Sequence, residues 1–217
     1  FVHEWLETID FTDPDWSCLE PLWLRRGLSG PIPEAALRTR LAATLAADLG
    51  EFTLQEVPRH ATFREHPFLF AVDAIDLDAL NALLSRLDPG WRPLPTRDAL
   101  RGYVTGVIDL IVHHKDRYSI IDYKTNRLAR YDAQTLAQAV AHHRYTLQAL
   151  LYTVAVDRLL ARFQPGYDPH RHLGPVHYLF IRGTVAGTSH GIHTFAFPPP
   201  LLDEARRILG MAAAAYR

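Results

Sequence analysis

Three charged residues in the middle of the chain have the types and spacing of a site that hydrolyses phosphodiesters. They are Asp109, Asp122 and Lys124, within the segment GYVTGVIDLIVHHKDRYSIIDYKTN, residues 102–126. Two carboxylates suit a hard divalent cation, which polarises a phosphoryl oxygen and lowers the pKa of a bound water. An ammonium beside them orients or helps deprotonate the attacking water and stabilises charge on the phosphoryl group. The segment therefore predicts a metal-dependent catalytic centre.

The pattern around these residues indicates two β-strands joined by a polar turn. Apolar, largely β-branched residues surround Asp109 and precede Asp122, and the polar run HHKDR, residues 113–117, separates the two stretches. Side chains two apart in a strand face the same side, so Asp122 and Lys124 point together. If the strands pair as a hairpin, Asp109 lies on that face beside them.

Each of these residues also has a structural explanation when it is taken singly. An acid in an apolar strand is sometimes held by a neighbouring loop, and an Asp-x-Lys at a strand end is often a solvated terminus. The combination on adjacent strands favours a site, because a charge buried without a partner costs several kcal/mol. Tyr123 points the other way, into the core, but its carbonyl lies between the two functional side chains and could serve as a neutral oxygen ligand.

A second polar group lies on a long helix that the periodicity predicts over residues 132–163. Gln148 and Tyr152 are four residues apart and share one helix face, with Arg144 and Tyr145 one turn earlier, on or near that face. These side chains could contact a phosphate or orient the waters of a metal ion. The same spacing also fits an ordinary boundary where polar residues meet solvent, so the spacing leaves both explanations open.

Composition limits the class of protein. The 217 residues, 48% of them hydrophobic, are enough for one domain of generous size with a real core. There is no run of about 18 apolar residues, so we expect no transmembrane helix. A net charge of −1 argues against a protein that holds nucleic acid by bulk charge, though not against local basic patches. The single cysteine, Cys18, excludes an internal disulfide and fits a reducing cytoplasm.

The predicted order of elements is helices first, then strand–helix–strand–strand–helix–strand–strand–helix. Predicted helices cover residues 1–9, 18–26, 33–49, 76–87, 132–163 and 201–216. A break at Gly30-Pro31 separates the second of these helices from the third. Predicted strands cover residues 68–72, 102–112, 118–124, 176–182 and 192–197, with a further extended stretch at 52–57. This order predicts an α/β fold with a mixed central sheet flanked by helices. We expect one domain, with a helical part (1–50) packed on the sheet, a core (51–200) and a closing C-terminal helix (201–217).

Several segments together resemble one known family. GVIDLI, IIDYKTN, HHRYTLQALLY and HYLFIRG occur in the order and at roughly the spacing of RecB-like nuclease domains, which end the exonuclease V beta subunit and belong to the PD-(D/E)xK superfamily. The first residues, FVHEWLETIDF, are similar to the segment that opens these domains, so the resemblance covers nearly the whole chain. It implies a restriction-endonuclease-like fold and a Mg²⁺-dependent deoxyribonuclease, with Mn²⁺ or Ca²⁺ as substitutes in a crystal.

The resemblance also assigns roles to individual residues. Asp109 and Asp122 match the family's two acidic metal ligands, Lys124 matches its catalytic lysine, and Tyr123 matches the residue whose backbone carbonyl completes the metal shell. His3 matches the family's histidine ligand, a role that its spacing alone does not suggest.

The helix and the loops show both a further match and two departures. Gln148 and Tyr152 match the family's Gln-x-x-x-Tyr motif. Where relatives tend to carry an acid just before the first core strand, this chain has Glu65, which could fill that role, and Pro67, which occupies the nearest equivalent of one acid. Gly174-Pro175 stands where a second glycine is more typical, and we expect only a local backbone effect there.

The family implies a nuclease module of a RecBCD-type helicase–nuclease in the bacterial cytoplasm, with no membrane partner. Its expected partners are DNA, as single strands or duplex ends, the helicase part of the same chain and the other subunits. A start at Phe1 without an initiator methionine or basic leader predicts a fragment of a longer chain rather than a signal peptide. Two alternatives remain, a catalytically silent module that only binds DNA or a partner, and a stand-alone exonuclease or restriction-like endonuclease of the same superfamily.

Overall fold

A mixed five-stranded sheet lies at the centre of the structure, a computed structural model that describes residues 1–27, 33–95 and 100–211. Within those ranges the strands are β1 (Thr62–Ile75), β2 (Leu100–His114), β3 (Arg117–Lys124), β4 (Leu173–Phe180) and β5 (Ile192–Phe195). They follow one another across the sheet in chain order. Only β3 and β4 pair in parallel, and the other neighbours are antiparallel. The predicted mixed sheet is confirmed.

Helices cover both faces of this sheet. In chain order they are α1 (Val2–Thr8), α2 (Leu19–Arg25), α3 (Glu34–Leu45), α4 (Leu77–Leu87), α5 (Ala133–His143), α6 (Tyr145–Phe163), α7 (Pro169–His172) and α8 (Pro199–Ile208). Short 3-10 turns lie at Trp16–Cys18, Leu54–Glu56 and Arg59–Ala61. In the described ranges, no helix is both long and apolar enough to cross a membrane.

The hairpin of β2 and β3 forms where the sequence predicts it. Its two-residue turn, Lys115 and Asp116, has positive φ at both positions, 46° and 69°. This geometry matches the twist of the flanking strands. Both strands extend further into the polar run than the apolar pattern indicates, and the rings of His113 and Tyr118 stack across the pair with centroids 4.3 Å apart.

The sheet separates two hydrophobic cores. One core lies between the sheet and helices α4, α5, α6 and α8. The other lies between the opposite face and the N-terminal segment, which contributes the buried side chains Trp5, Leu6, Phe11, Leu41 and Leu45. Each large apolar side chain removed from water stabilises the fold by about 1.5–3 kcal/mol. The N-terminal segment is therefore a layer of the fold, packed on the sheet as expected.

Two predictions near residue 50 are wrong, for different local reasons. The helix predicted over 33–49 ends at Leu45, where the next backbone groups bond to a later loop instead: Gly187 N–H donates to Ala46 O at 2.8 Å. The stretch expected to be extended at 52–57 contains the 3-10 turn Leu54–Glu56. Its start is capped because the Glu56 carboxylate accepts from the Thr53 backbone N–H at 2.7 Å.

Later boundaries also differ from the sequence prediction. The single helix predicted over 132–163 is two helices, because Arg144 takes a left-handed conformation with φ of 58° and ends α5. The first core strand is longer than 68–72, the strand predicted at 176–182 lies earlier, and the one at 192–197 ends sooner. The closing helix begins at Pro199 and ends at Ile208. Residues 212–216 of that predicted helix, and the break at Gly30-Pro31, lie outside the described residues.

Gly174-Pro175 inserts one extra residue in β4 relative to β3, next to Ser119. A Cβ at Gly174 would lie 2.4 Å from Ser119 Oγ, so this approach requires glycine. Pairing with β3 resumes at Val176, and the departure from a second glycine is therefore confined to this bulge.

His177 on β4 makes the stability of the fold depend on pH. The side chain is 3% exposed and bonds Thr194 Oγ1 through Nδ1 at 2.9 Å, and burial lowers its pKa to about 4. An unfolded histidine titrates near about 6.5. Between these two values the unfolded chain binds a proton that the folded chain does not, so acid favours unfolding.

We predict that the free energy of unfolding falls by about 3 kcal/mol more in the wild type than in His177→Phe as the pH drops from 7.5 to 4. Above pH 7 the two proteins should show no difference in slope. Urea unfolding at a series of pH values measures this. His60→Phe is the matched control, because His60 is exposed, and it should keep the wild-type slope. Equal slopes for wild type and His177→Phe would contradict the prediction.

Candidate active site

The two predicted carboxylates lie where β2 and β3 separate. The ladder between these strands ends at the pair of Leu110 and Ile121. Beyond it β2 continues beside β1, while β3 continues beside β4. Asp109 and Asp122 are the next residues on the two strands, so the structure brings both carboxylates to this fork.

Strand β2 changes the face it presents at Asp109. Ile108 and Ile111 both belong to the core under α4–α6 and α8, whereas Leu110 belongs to the core under the N-terminal segment. Residues three apart lie on opposite faces of a regular strand, so the strand must turn over between them. Glu65, the residue of β1 that falls opposite Asp109 in the register, has a positive φ of 47°. Both strands are therefore irregular at the same level of the sheet.

Backbone and imidazole atoms surround the Asp109 carboxylate. Its Oδ2 accepts a hydrogen bond from the Tyr123 N–H at 2.8 Å and lies 3.7 Å from His3 Nε2. His3 Nε2 donates to the Tyr123 carbonyl at 2.8 Å. The histidine, the first aspartate and the carbonyl that the family resemblance implies as ligands thus converge on one spot.

Helix α1 holds His3 over the sheet through its apolar side. Trp5 and Leu6 are completely buried in the second core, and Trp5 stacks on Trp16 with ring centroids 4.9 Å apart. The His3 ring meets the Tyr123 ring edge-on at 6.1 Å. A single histidine gives no signal in the sequence, but the buried pair that follows it fixes the helix against β3.

Burial dominates the electrostatics of the two aspartates. Burial, followed by the charge of Asp109, raises the pKa of Asp122 to about 6, although the Lys124 ammonium opposes the shift. Burial also raises the pKa of Asp109, against the hydrogen bond from the Tyr123 N–H. Two neighbouring buried carboxylates are costly to ionise together, and a cation between them relieves that cost.

Glu65 adds a third carboxylate to this field. Partial burial raises its pKa, and the charge of Glu7 adds to the effect. The Glu65 charge in turn contributes to the raised pKa of Asp109. Pro67 lies opposite Val107 on β2 and brings no polar side chain. Of Glu65 and Pro67, only Glu65 therefore adds an acid near the aspartates.

The donor atoms at the fork suit a divalent cation in kind: one imidazole nitrogen, carboxylate oxygens and a backbone carbonyl. Asp122 Oδ2 is buried, and the Lys124 ammonium, its ion-pair partner, lies 2.6 Å away. The charge of Asp109 also raises the pKa of Asp122, so a cation between the two carboxylates would be favourable. As arranged, no three His, Cys, Asp or Glu side chains of the described residues form a ready-made metal cluster. For His3 and the Tyr123 carbonyl to hold an ion, the hydrogen bond between them would have to be given up.

Lys124 is held from several sides. Its Nζ lies 2.6 Å from Asp122 Oδ2 and donates to Gln148 Oε1 at 3.0 Å. The same ammonium lies 4.0 Å from the centre of the Tyr145 ring and 4.6 Å from that of Tyr178. Cation–π contacts of this kind strengthen when the cation is shielded from water, and the Lys124 side chain is 11% exposed.

Gln148 and Tyr152 face Lys124 and the sheet. Gln148 Nε2 donates to the Tyr152 hydroxyl at 2.8 Å, and that hydroxyl donates to Val107 O at 3.0 Å. Burial raises the pKa of Tyr152, so the phenol keeps its proton. This face of α6 therefore positions the lysine.

The sequence reasoning missed Tyr178, whose hydroxyl donates to Gln148 Oε1 at 2.9 Å. Tyr178 is the β4 residue paired with Asp122, so the signal that identifies it is the parallel pairing of β3 and β4. It also missed Asn126, which accepts from the Tyr145 hydroxyl at 3.3 Å and contacts His143 Nε2 at 3.1 Å.

Arg144, expected on or near the face of Gln148, lies at the break between α5 and α6 and not inside one continuous helix. A continuous helix would place Arg144 one turn before Gln148, but the left-handed break between α5 and α6 removes that continuity. The exposed guanidinium lies 5.8 Å over the ring of Trp91 instead. Tyr145, the first residue of α6, does remain at the site through its contact with Lys124.

Comparison with known proteins relates the whole chain to one superfamily. The profile of the PD-(D/E)XK nuclease superfamily matches residues 1–217. The RecBCD enzyme subunit RecB of Escherichia coli (strain K12) is 34% identical over 197 residues, which is 84% of this chain and 16% of that protein. The subunit of the same name from Mycobacterium tuberculosis (strain CDC 1551 / Oshkosh) is 33% identical over an alignment of 240 residues, 92% of this chain and 22% of that protein.

The same subunit from Haemophilus influenzae (strain ATCC 51907 / DSM 11121 / KW20 / Rd) is 30% identical over 178 residues, 78% of this chain and 13% of that protein. The chain thus spans between 13% and 22% of the length of these curated relatives.

The hydrogen-bond chain through Gln148 yields a prediction about stability. Gln148→Leu removes the hydrogen bonds that Gln148 makes with the Tyr152 and Tyr178 hydroxyls and with the buried Lys124 ammonium. The two hydroxyls keep their bonds to backbone carbonyls, but the ammonium loses an acceptor, so we expect unfolding to become easier by about 1–3 kcal/mol. In a double-mutant cycle with Tyr152→Phe, the double variant should lose less stability than the sum of the two single losses, by at least about 0.5 kcal/mol. The reason is that the two residues belong to one hydrogen-bond network. Urea unfolding measures all four proteins.

Tyr118→Phe is the control partner for this cycle. It also removes a hydroxyl that donates a hydrogen bond, but to Gln164 at the far end of β3. Its effect should add to that of Gln148→Leu within about 0.5 kcal/mol. Strict additivity of Gln148→Leu and Tyr152→Phe would show that the chain does not act as a unit.

Proposed function

The chain belongs to the PD-(D/E)XK nuclease superfamily, and from this we propose that residues 1–217 form the nuclease domain of a RecBCD-type helicase–nuclease. In this proposal the domain is a Mg²⁺-dependent deoxyribonuclease of the exonuclease V type that processes DNA ends in recombinational repair in the bacterial cytoplasm. One observation carries the proposal: His3, the Tyr123 carbonyl and Asp109 converge at the fork beside the buried pair of Asp122 and Lys124.

The residues that would hold the ion are His3, Asp109, Asp122 and Tyr123, the last through its carbonyl. A bound magnesium ion would polarise a phosphoryl oxygen and lower the pKa of a water. The affinity of the site for this ion would depend on keeping the carboxylates of Asp109 and Asp122 ionised side by side. Glu65 adds further negative charge at the same point and would raise the attraction for a cation.

Lys124 supplies the positive charge of the proposed reaction. Its ammonium would stabilise negative charge on the phosphoryl group and orient the attacking water. The contacts with Gln148 and with the rings of Tyr145 and Tyr178 restrict where this ammonium can point. A preorganised charge of this kind costs little reorganisation during the reaction.

The partners follow from the relatives and from the charge of the chain. The relatives carry the name RecBCD enzyme subunit RecB, so the proposed partners are DNA, the helicase part of a longer chain and the other subunits of such a complex. A net charge of −1 suits a module that receives DNA from a motor, since it need not capture DNA by bulk charge.

Substitutions at the fork test the chemistry. We predict that Asp122→Asn and Lys124→Met each lower Mg²⁺-dependent cleavage of labelled single-stranded DNA by at least about a hundredfold. Asp122→Asn removes a charged ligand of the proposed ion, and Lys124→Met removes the ammonium that would stabilise charge on the phosphoryl group. Circular dichroism should show both proteins folded. Lys115→Met and Asp116→Asn make the same chemical changes at the tip of the same hairpin, and they should cleave as the wild type does.

Full cleavage by the Asp122 or Lys124 variant would contradict the assignment of this centre. A wild type that binds DNA but shows no turnover with any divalent ion would favour the catalytically silent module instead.

The proposed ligand set predicts that divalent ions stabilise the fold. An ion present at about 100 times its dissociation constant should raise the free energy of unfolding by about 2.7 kcal/mol. His3→Ala removes one ligand, so the concentration of Mg²⁺ or Mn²⁺ that gives half of this stabilisation should rise at least about tenfold. Thermal unfolding against ion concentration measures it without reference to catalysis. His60→Ala, an exposed histidine outside the fork, should titrate as the wild type does, and an unchanged titration in His3→Ala would exclude His3 as a ligand.

A further inference from the structure

A groove lies between the edge strand β1 and helix α6, outside the fork. It consists of two adjoining cavities of about 240 Å³ and about 270 Å³ that share His66 and Phe163 in their walls. Phe68 lines the end nearer the fork, and Phe63 lines the other cavity. Because β1 is at the edge of the sheet, no further strand of the described residues covers this side. We call this feature the α6 groove.

Aromatic rings stand exposed along the α6 groove. The Phe163 side chain is 66% exposed and that of Phe63 is 47% exposed, although both are large and apolar. Exposed aromatic faces in a groove are the platforms on which the bases of a single strand stack, a contact that tolerates any sequence.

Two arginines on α6 give the α6 groove a positive charge. Arg158 and Arg162 line it, both are exposed, and neither guanidinium has an ion pair or hydrogen bond within the described ranges. They lie over rings, Arg158 at 5.9 Å from the centre of Phe70 and Arg162 at 5.3 Å from that of Phe163. No described Asp or Glu lines either cavity. The charge is therefore complementary to phosphates.

The α6 groove adjoins the fork at one end. The Phe68 ring meets the Tyr152 ring edge-on at 5.8 Å, and Tyr152 is hydrogen-bonded to Gln148 beside Lys124. On β1, His66 in the groove wall directly follows Glu65, which lies opposite Asp109. The wall of the groove therefore begins one residue along β1 from the position opposite Asp109.

We propose that the α6 groove binds a single strand of nucleic acid next to the segment that enters the fork. Arg158 and Arg162 contact its phosphates, and Phe163 and Phe63 stack on its bases. The inference rests on the proposed nuclease function, for which single strands are already an expected substrate, and adds the place where such a strand would lie. Base faces are accessible for stacking there only when the bases are unpaired. An acidic peptide would match the charge but not the adjacent phosphodiester-cleaving centre.

Binding without metal tests the proposal, because it involves no turnover. The probe is a fluorescent twelve-residue oligothymidylate in buffer with a chelator, and anisotropy gives the affinity of the 217-residue chain at several salt concentrations. Arg158→Ala with Arg162→Ala should weaken binding about tenfold or more. The slope of log K against log salt should become shallower by about 1.4, since each lost phosphate contact removes about 0.7 on a single strand. Arg92→Ala with Arg207→Ala removes two other exposed arginines and should leave the slope unchanged.

Phe163→Ala separates stacking from charge. It should weaken binding at least about fivefold, as expected for the loss of one stacked base, and leave the salt slope as in the wild type. Leu24→Ala removes a comparably exposed apolar side chain on α2 and should bind as the wild type does. A merely structural role for the arginines would not change the salt slope.

The outcomes distinguish this inference from the proposed function. If the wild type cleaves DNA but the groove variants bind the oligonucleotide as well as it does, the α6 groove proposal fails and the nuclease assignment stands. If the groove variants lose binding but the wild type never cleaves, the nuclease assignment fails instead. No binding by the wild type, equal losses for duplex and single strand, or displacement of the strand by an acidic peptide would each overturn the groove proposal.

Discussion

The structure at the fork depends on keeping two carboxylates and an ammonium out of water. The side chains of Asp122 and Lys124 are only 4% and 11% exposed. Charges buried this far destabilise a fold by several kcal/mol unless each has a partner. Asp109 gains its partner where β2 and β3 separate. The Tyr123 N–H makes no ladder hydrogen bond to β2 there and donates to the Asp109 carboxylate instead. Lys124 provides the partner for Asp122, and the remaining unfavourable charge is what a divalent ion would offset.

These partners come from three layers of the fold. The N-terminal segment supplies His3 on one face of the sheet, β3 supplies Asp122 and Lys124, and α6 supplies Gln148 on the opposite face. The two hydrophobic cores that hold these layers on the sheet therefore also set the geometry of the site. This explains why the helical first part of the chain is inseparable from the candidate site, even though the aspartates lie a hundred residues later.

The sequence predicts those parts of this arrangement that depend on local pattern. The alternation around Asp109 and Asp122 is enough for the hairpin, because strand spacing decides which side chains share a face. His3 could be placed only through the family resemblance, since its position depends on how α1 packs. The division of the predicted helix at Arg144 could not be predicted, because nothing in an arginine signals a left-handed backbone, which is more often a property of glycine or asparagine. The capping pair of Thr53 and Glu56 is the signal in the sequence for the 3-10 turn that replaces the predicted extended stretch.

The irregularity of β2 at Asp109 explains how one carboxylate serves both sides of the sheet. In a regular strand Asp109 would face either the N-terminal segment or the helices, and it would have partners from one layer alone. Because the strand turns over at this residue, the Asp109 carboxylate is close to charges from both layers. The charges of His3 and Lys124 each lower the pKa of Asp109, against the effect of burial. The positive φ of Glu65 opposite it costs on the order of 1–3 kcal/mol, a strain that persists only where the surroundings enforce it. This strain lies beside the carboxylates and not at a turn. We therefore interpret the irregularity as one that serves the site.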